Sequence, residues 1–175
     1  MRLHQLKVEF RPEEDRLLMR LATDTGAEVL LWLTRRCVKR VWPVLLNMAQ
    51  AAPEVALQPN PEARKALVGF QHEKAIRQAN FATPYAETPR ERPLGAAPLV
   101  VARIQPRRDQ QGRHVLGLLP AAGQGVHVTL DDNLLHGLMK LLQNAVAKSD
   151  WGLDLAVPSG VVLAPEAAGG RPTIN

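Results

Sequence analysis

A single cysteine, Cys37, stands in the 175 residues. No intrachain disulfide can form, which excludes the stapled scaffolds of small secreted domains. Aromatic residues make up 4% of the chain, and the only serines are Ser149 and Ser159. The core must therefore be built from Leu, Val and Ala. No apolar run approaches the roughly 20 residues of a membrane-spanning helix, so no membrane partner is expected. The stretch from Met1 to Phe10 lacks the apolar centre of a secretory signal, and the cytoplasm is the expected compartment. Catalytic motifs are missing too: there is no Gly-rich phosphate loop, no Gly-x-Ser-x-Gly and no Cys-x-x-Cys. The histidines at 4, 72, 114, 127 and 136 have no ligand spacing. Neither a metal, nor a cofactor, nor an enzymatic activity is expected.

What is present is a globular composition, 46% apolar and 22% charged. Its Ala, Arg and Pro bias suggests a GC-rich bacterial source. The net charge of +5 permits an anionic partner. Residues 1–97 carry 15 Lys and Arg against 11 Asp and Glu, so +4; residues 98–175 carry 7 against 6, so +1. Most of the positive field belongs to the first half.

Patterning gives an architecture. Residues 3–10 and 15–23 alternate as half-buried strands around a turn at 11–14. Asp24-Thr25-Gly26 is a hairpin signal, and 27–33 form a third strand, apolar on both faces. Thr34 caps a helix over 35–51, with Pro43 predicting a kink or a late start near Trp42. Residues 53–59 connect, with a short strand at 55–57. Asn60-Pro61-Glu62 starts a helix reaching about Asn80, whose thin stripe is Ala63, Leu67, Phe70 and Ile76. Residues 82–97 are a Pro-rich loop. Strands follow at 98–105, 113–119 and 125–130, with a polar turn at 106–112. Asp131 then caps a helix over 132–148, and 151–157 read as a final strand. Residues 158–175 read as a flexible tail.

Shifted by 97 positions, residues 16–47 lie on 113–144 without a gap. Seven of the 32 pairs are identical, among them Gly26 with Gly123 and Leu45 with Leu142. The expected fold class is α+β, with duplicated β-β-β-α units in a pseudo-twofold arrangement and a helix inserted between them. The expected boundaries are 1–58 and 98–157 for the units, 59–97 for the insertion and 158–175 for the tail, all in one compact domain.

Three groups of residues could serve a partner. Arg35, Arg36, Lys39 and Arg40 crowd the start of a helix, where the macrodipole disfavours cations. They make either an anion site or a solvated polar face. On the first sheet, Leu17, Met19, Leu21, Val29, Leu31 and Leu33 point inward. That leaves Lys7, Arg16, Arg20 and Trp32 outward with Leu18 and Leu30, which suits a single-stranded nucleic acid by charge and stacking. The same residues could instead bury against the inserted helix or another subunit. The second unit adds Arg103, Arg113 and His127. Cys37 reads as a small core residue, and Asp131-Asp132 as a helix cap.

A repeated sheet-and-helix unit with a basic outer face resembles the single-stranded nucleic-acid binders of the positive-coactivator, whirly and PUR-repeat type. The resemblance covers the topology of residues 3–51 and 98–148. It implies curved antiparallel sheets, one helix per repeat and single-stranded DNA or RNA as partner. Those repeats have four strands before the helix, whereas three are counted here. The chain is thus read as a non-enzymatic binding protein for single-stranded nucleic acid. The alternative is a protein–protein adaptor or homo-oligomer acting through Leu18, Leu30 and Trp32 or through the inserted helix. Only the first unit has Arg20, Trp32 and the Arg-Arg-x-x-Lys-Arg helix start, so a site is expected there.

Overall fold

The computed structural model describes residues 2–88 and 90–159. The expected tail falls outside the described residues from 160 onward. Alternation makes the first sheet. Strands β1 (Leu3–Arg11), β2 (Arg16–Thr23) and β3 (Glu28–Thr34) pair antiparallel, with Lys7 opposite Arg20 and Leu18 opposite Trp32. Two tight turns set this register. In the first, Asp15 takes a positive φ of 48°; in the second, Gly26 takes 85°, a conformation that costs glycine nothing.

The expected strand at 98–105 is two strands. β4 (Leu99–Val100) joins the first sheet parallel to β3, placing Val100 beside Trp32. β5 (Arg103–Arg108) opens a second sheet with β6 (His114–Leu119) and β7 (Val126–Leu130). The crossing takes one residue: Val101 donates its N–H to Trp32 in the first sheet, and Ala102 donates to Leu119 in the second. A continuous apolar-polar pattern hides this change of partner.

Thr34 caps α1 (Arg35–Gln50), its hydroxyl accepting from Cys37 N at 3.2 Å. The helix continues through Pro43 without a late start. Pro43 is exposed, so water can satisfy the carbonyl that loses its partner. The segment expected as a short strand at 55–57 is instead a helical turn, α2 (Pro53–Ala56), holding Val55 in the core. Asn60 caps α3 (Pro61–Gln78). Its buried residues are Val68, His72 and Ala75, while Phe70 is 64% exposed. Of the expected stripe, Leu67 packs half-buried against the core and Ala63 and Ile76 are half-buried, while Phe70 faces out. Asp131 caps α4 (Asp132–Val146). Residues 151–157 form no strand, yet Trp151 and Leu155 are buried, and the Trp151 indole N–H donates to Asp15.

The chain is therefore mixed α+β, with two sheets and four helices among the described residues. The inward residues of β2 and β3 meet α1 and α4, and one apolar cluster draws on both halves. Leu17, Leu31, Leu33, Leu45 and Leu142 are at most 1% exposed. Each such side chain contributes about 1.5–3 kcal/mol of burial. The helices cross over: α1 touches β3 and β5, α4 touches β7 and β1. α3 packs on α4, α1 and α2.

The two hairpins share a register. Leu17 faces Leu33 and Arg20 faces Leu30; adding 97 to each number gives His114 facing Leu130 and Gly117 facing His127. Gly26 and Gly123 have φ of 85° and 86°.

Candidate functional site

The outer face of the first sheet is not bare. Residues 85–88 and 90–92 lie over it at Lys7, Arg20 and Leu30, the last 8% exposed. Glu28, 2% exposed, anchors the crossing. Its Oε1 accepts from Arg20 Nε at 2.9 Å, Arg20 Nη2 at 2.8 Å and the Tyr85 hydroxyl at 2.8 Å. Its Oε2 accepts from Arg92 at 2.9 and 3.0 Å. Burial alone would raise the Glu28 pKa. The hydrogen bonds from Tyr85, Arg20 and Arg92 outweigh it and hold the carboxyl below its usual range. Tyr85 lies under the Arg20 guanidinium at 4.5 Å, and burial together with Glu28 raises its hydroxyl pKa. Glu87 closes the outer side, taking Arg20 Nη1 at 2.6 and 2.9 Å and Lys7 Nζ at 3.3 Å. Ala86 N–H and Arg90 are held by Gln5.

Of the cations expected on this face, Lys7 and Arg20 are thus paired with carboxylates. Arg16 and Trp32 are half-buried on the part of the face toward Thr34, beside Leu18 and Val100. Val100 is 41% exposed. Arg113 is held by Asp109 at 2.7 Å, and Arg103 donates to the Pro120 carbonyl at 3.1 Å.

The α1 cluster differs. Its four cations, Arg35, Arg36, Lys39 and Arg40, are exposed, and the first turn holds no acid. α4 has Asp132 at the equivalent place. Because α1 packs beside β5, its cations border a second basic element. β5 is an exposed edge strand carrying Arg103, Arg107 and Arg108, with Pro106 removing one ladder donor. Two hollows follow the seam. One, of about 280 Å³, lies among Thr34, Arg36, Arg40 and Ile104. The other, of about 290 Å³, lies among Val44, Met48, Arg107, Arg108 and His114. Among the described residues no carboxylate comes within ion-pair distance of Arg35, Arg36, Lys39, Arg40, Arg103, Arg107 or Arg108. Arg107 and Arg108 escape the sequence reading because they fall in its polar turn; their adjacency was the available signal. Cys37 lines the first hollow, but burial pushes its thiol up to about 11 against the pull of Arg40, so it stays protonated. Burial and the Arg108 charge lower the pKa of His114.

Two other features were not foreseen. His72 and His136 meet between α3 and α4 with Nδ1 atoms 3.0 Å apart, both under 10% exposed. Burial and the charge of His72 push His136 down to about 4, so the pair rests neutral, one ring donating to the other. A hollow of about 570 Å³ lies between β1, residues 79–85 and the start of α4, lined by His4, Leu6, Phe81, Leu134 and Leu141. Among the described residues no group of three or more His, Cys, Asp or Glu side chains could hold a metal ion. No described helix is long and apolar enough to cross a membrane.

No protein-family model matches the chain, and no curated protein or solved structure matches it.

Proposed function

We propose that this chain is a non-enzymatic binding protein for single-stranded nucleic acid, with the phosphate backbone laid along the α1–β5 seam. One observation carries the reading: seven cations line or flank a single seam and, among the described residues, none of them forms an ion pair, whereas Lys7, Arg20 and Arg92 on the neighbouring sheet face are paired with carboxylates. Arg103 and Arg108 donate to the carbonyls of Pro120 and Gly112, which leaves their charge unneutralised, and a group of cations without carboxylate partners answers a polyanion. Trp32, half-buried on the outer face between Leu18 and Val100, supplies a ring for a base to stack on. We read the halves as two copies of one β-β-β-α unit about a pseudo-twofold axis, supported by the shared hairpin register. The site then sits where α1 of the first copy meets β5 of the second.

Fluorescence anisotropy of a labelled single-stranded oligonucleotide tests this. Affinity falls linearly with the logarithm of salt, with a slope of about −0.7 per phosphate contact. Arg36→Ala with Arg40→Ala weakens binding and lowers the slope by about 1.4. Absence of binding at low salt overturns the proposal. Val100, exposed beside Trp32, favours a second reading in which a protein partner or a second copy covers Leu18, Trp32 and Val100. Sedimentation showing an oligomer that Trp32→Ser disperses would select it.

A further inference from the structure

The seam lies apart from a second place where an anion is already held. Arg20 uses two of its three nitrogens, Nε and Nη2, on the buried Glu28, which fixes the plane of the guanidinium. Its third nitrogen, Nη1, points outward to Glu87, with Lys7 Nζ on the other side of the same carboxylate. The aim of Arg20 therefore does not depend on Glu87. Nor is Glu87 fixed as Glu28 is: its side chain is 59% exposed, against 2% for Glu28. Exposed ion pairs of this kind are weak and exchange with other ions. The charges around it also ask for an anion. Without Glu87 the cluster holds Lys7, Arg20, Arg90 and Arg92 against Glu9 and Glu28, four positive charges against two. Arg90 Nε, buried in the same cluster, has no hydrogen-bond partner among the described residues.

We propose that Lys7 and Arg20 form a phosphate-binding subsite that Glu87 fills from within the chain, and that a phosphate of the incoming ligand competes with the Glu87 carboxylate for it. The inference rests on the single-stranded nucleic-acid reading for its natural ligand. Only the Glu87 side chain has to swing out; the flanking residues stay anchored through Tyr85, Arg92 and the Glu28 N–H to Glu91 carbonyl bond of 2.7 Å. A phosphodiester carries one negative charge, as Glu87 does, so the exchange leaves the cluster's charge unchanged. Glu87 then acts as a gate that weakens binding of short or poorly charged ligands.

The test uses the full chain and Glu87→Gln, which keeps the shape and removes the charge. Lys7→Ala in the Glu87→Gln background is the control, because Arg20→Ala would strand the buried Glu28. With a labelled single-stranded oligonucleotide, Glu87→Gln is expected to bind about three- to ten-fold tighter, with a salt slope steeper by about 0.7 to 1.4. The Lys7→Ala change is expected to remove part of both gains. If Glu87→Gln leaves affinity and slope unaltered while the Arg36→Ala, Arg40→Ala protein binds weakly, the subsite is overturned and the seam stands. If no protein binds the oligonucleotide, the seam reading falls, and inorganic phosphate decides the subsite. At about 10 mM phosphate, Glu87→Gln is expected to melt higher than in chloride of equal ionic strength, and the Lys7→Ala, Glu87→Gln protein less so. Equal melting in both salts overturns the subsite.

Discussion

The outer face of the first sheet and the α1–β5 seam are both rich in arginine, but they treat it differently. On the sheet, Arg20 and Arg92 converge on a carboxylate that water hardly reaches, and a tyrosine ring backs the guanidinium. There, arginine is structural: it ties Tyr85, Glu87 and Arg92 to the sheet through Glu28 and Arg20. On the seam, the arginines stand in solvent at the rim of two hollows and meet no acid among the described residues. Burial and pairing, rather than residue type, separate a nitrogen that holds the fold from one that can hold a ligand, and Arg20 carries both kinds: Nε and Nη2 on buried Glu28, Nη1 on exposed Glu87.

The sharpest way to break the contrast is Glu28→Ala. It leaves Arg20 and Arg92 facing an empty, largely buried position and releases Tyr85. Breaking such a pair costs about 3–5 kcal/mol, read as a lower urea midpoint, with faster hydrogen exchange at residues 85–88 and 90–92. A loss no larger than that of a surface change would mean the sheet cations are as loosely held as those of the seam.

The next effect is pH. The His136 pKa sits at about 4 in the fold against an ordinary 6.5, so the unfolded chain binds more protons between those values. Stability is full above about pH 6.5 and falls as the pH drops toward 4. His72 is lowered as well: burial is the main cause, the Gln143 side chain and Glu73 oppose it, and Lys140 adds to it. One depressed histidine of this size removes at most about 3 kcal/mol. His136→Phe should flatten this limb of a melting-temperature-against-pH curve; an unchanged limb assigns it to another lowered histidine, His72 or His114. Low pH loosens α3 from α4 in this account and leaves the seam cations charged.

Helix caps give a smaller effect and a comparison between the halves. Asp131→Ala should cost about 1 kcal/mol, since it removes an acceptor 2.8 Å from Leu134 N and a charge favourable to the dipole. Thr34→Ala should cost less, because Thr34 brings no charge. Thermal denaturation of both variants measures the difference. The smallest change is expected from Arg107→Ala with Arg108→Ala: near-neutral for stability, as for exposed side chains generally, yet a loss of about 1.4 in the salt slope of oligonucleotide binding. A stability loss above 1 kcal/mol would place these arginines with the structural class.

The sequence was most legible where period and cap agree. β2, β3 and α1 could be read because alternation, a Gly turn and Thr34 follow one another within 20 residues, and the inward set Leu17 to Leu33 is the buried one. Partners distant in sequence left no such trace. Arg20 pairs with Glu87, 67 positions away in a Pro-rich stretch with no period, so its outward position could be read and its neutralisation could not. His72 read as polar because a lone histidine does not announce the second one that satisfies it. The split of 98–105 was hidden because both strands have the same alternation and the change of sheet lies in the backbone.

That split has a consequence for how the chain can assemble. Consecutive amides, at 101 and 102, belong to different sheets. A nascent chain released only to residue 98 would hold β1, β2 and β3 with the far edge of β3 open, an invitation to pair with another molecule. The ten residues 99–108 close that edge and start the next sheet in the same motion. Sealing the first half and nucleating the second are then a single event in time, and a cut between Val101 and Ala102 would undo both.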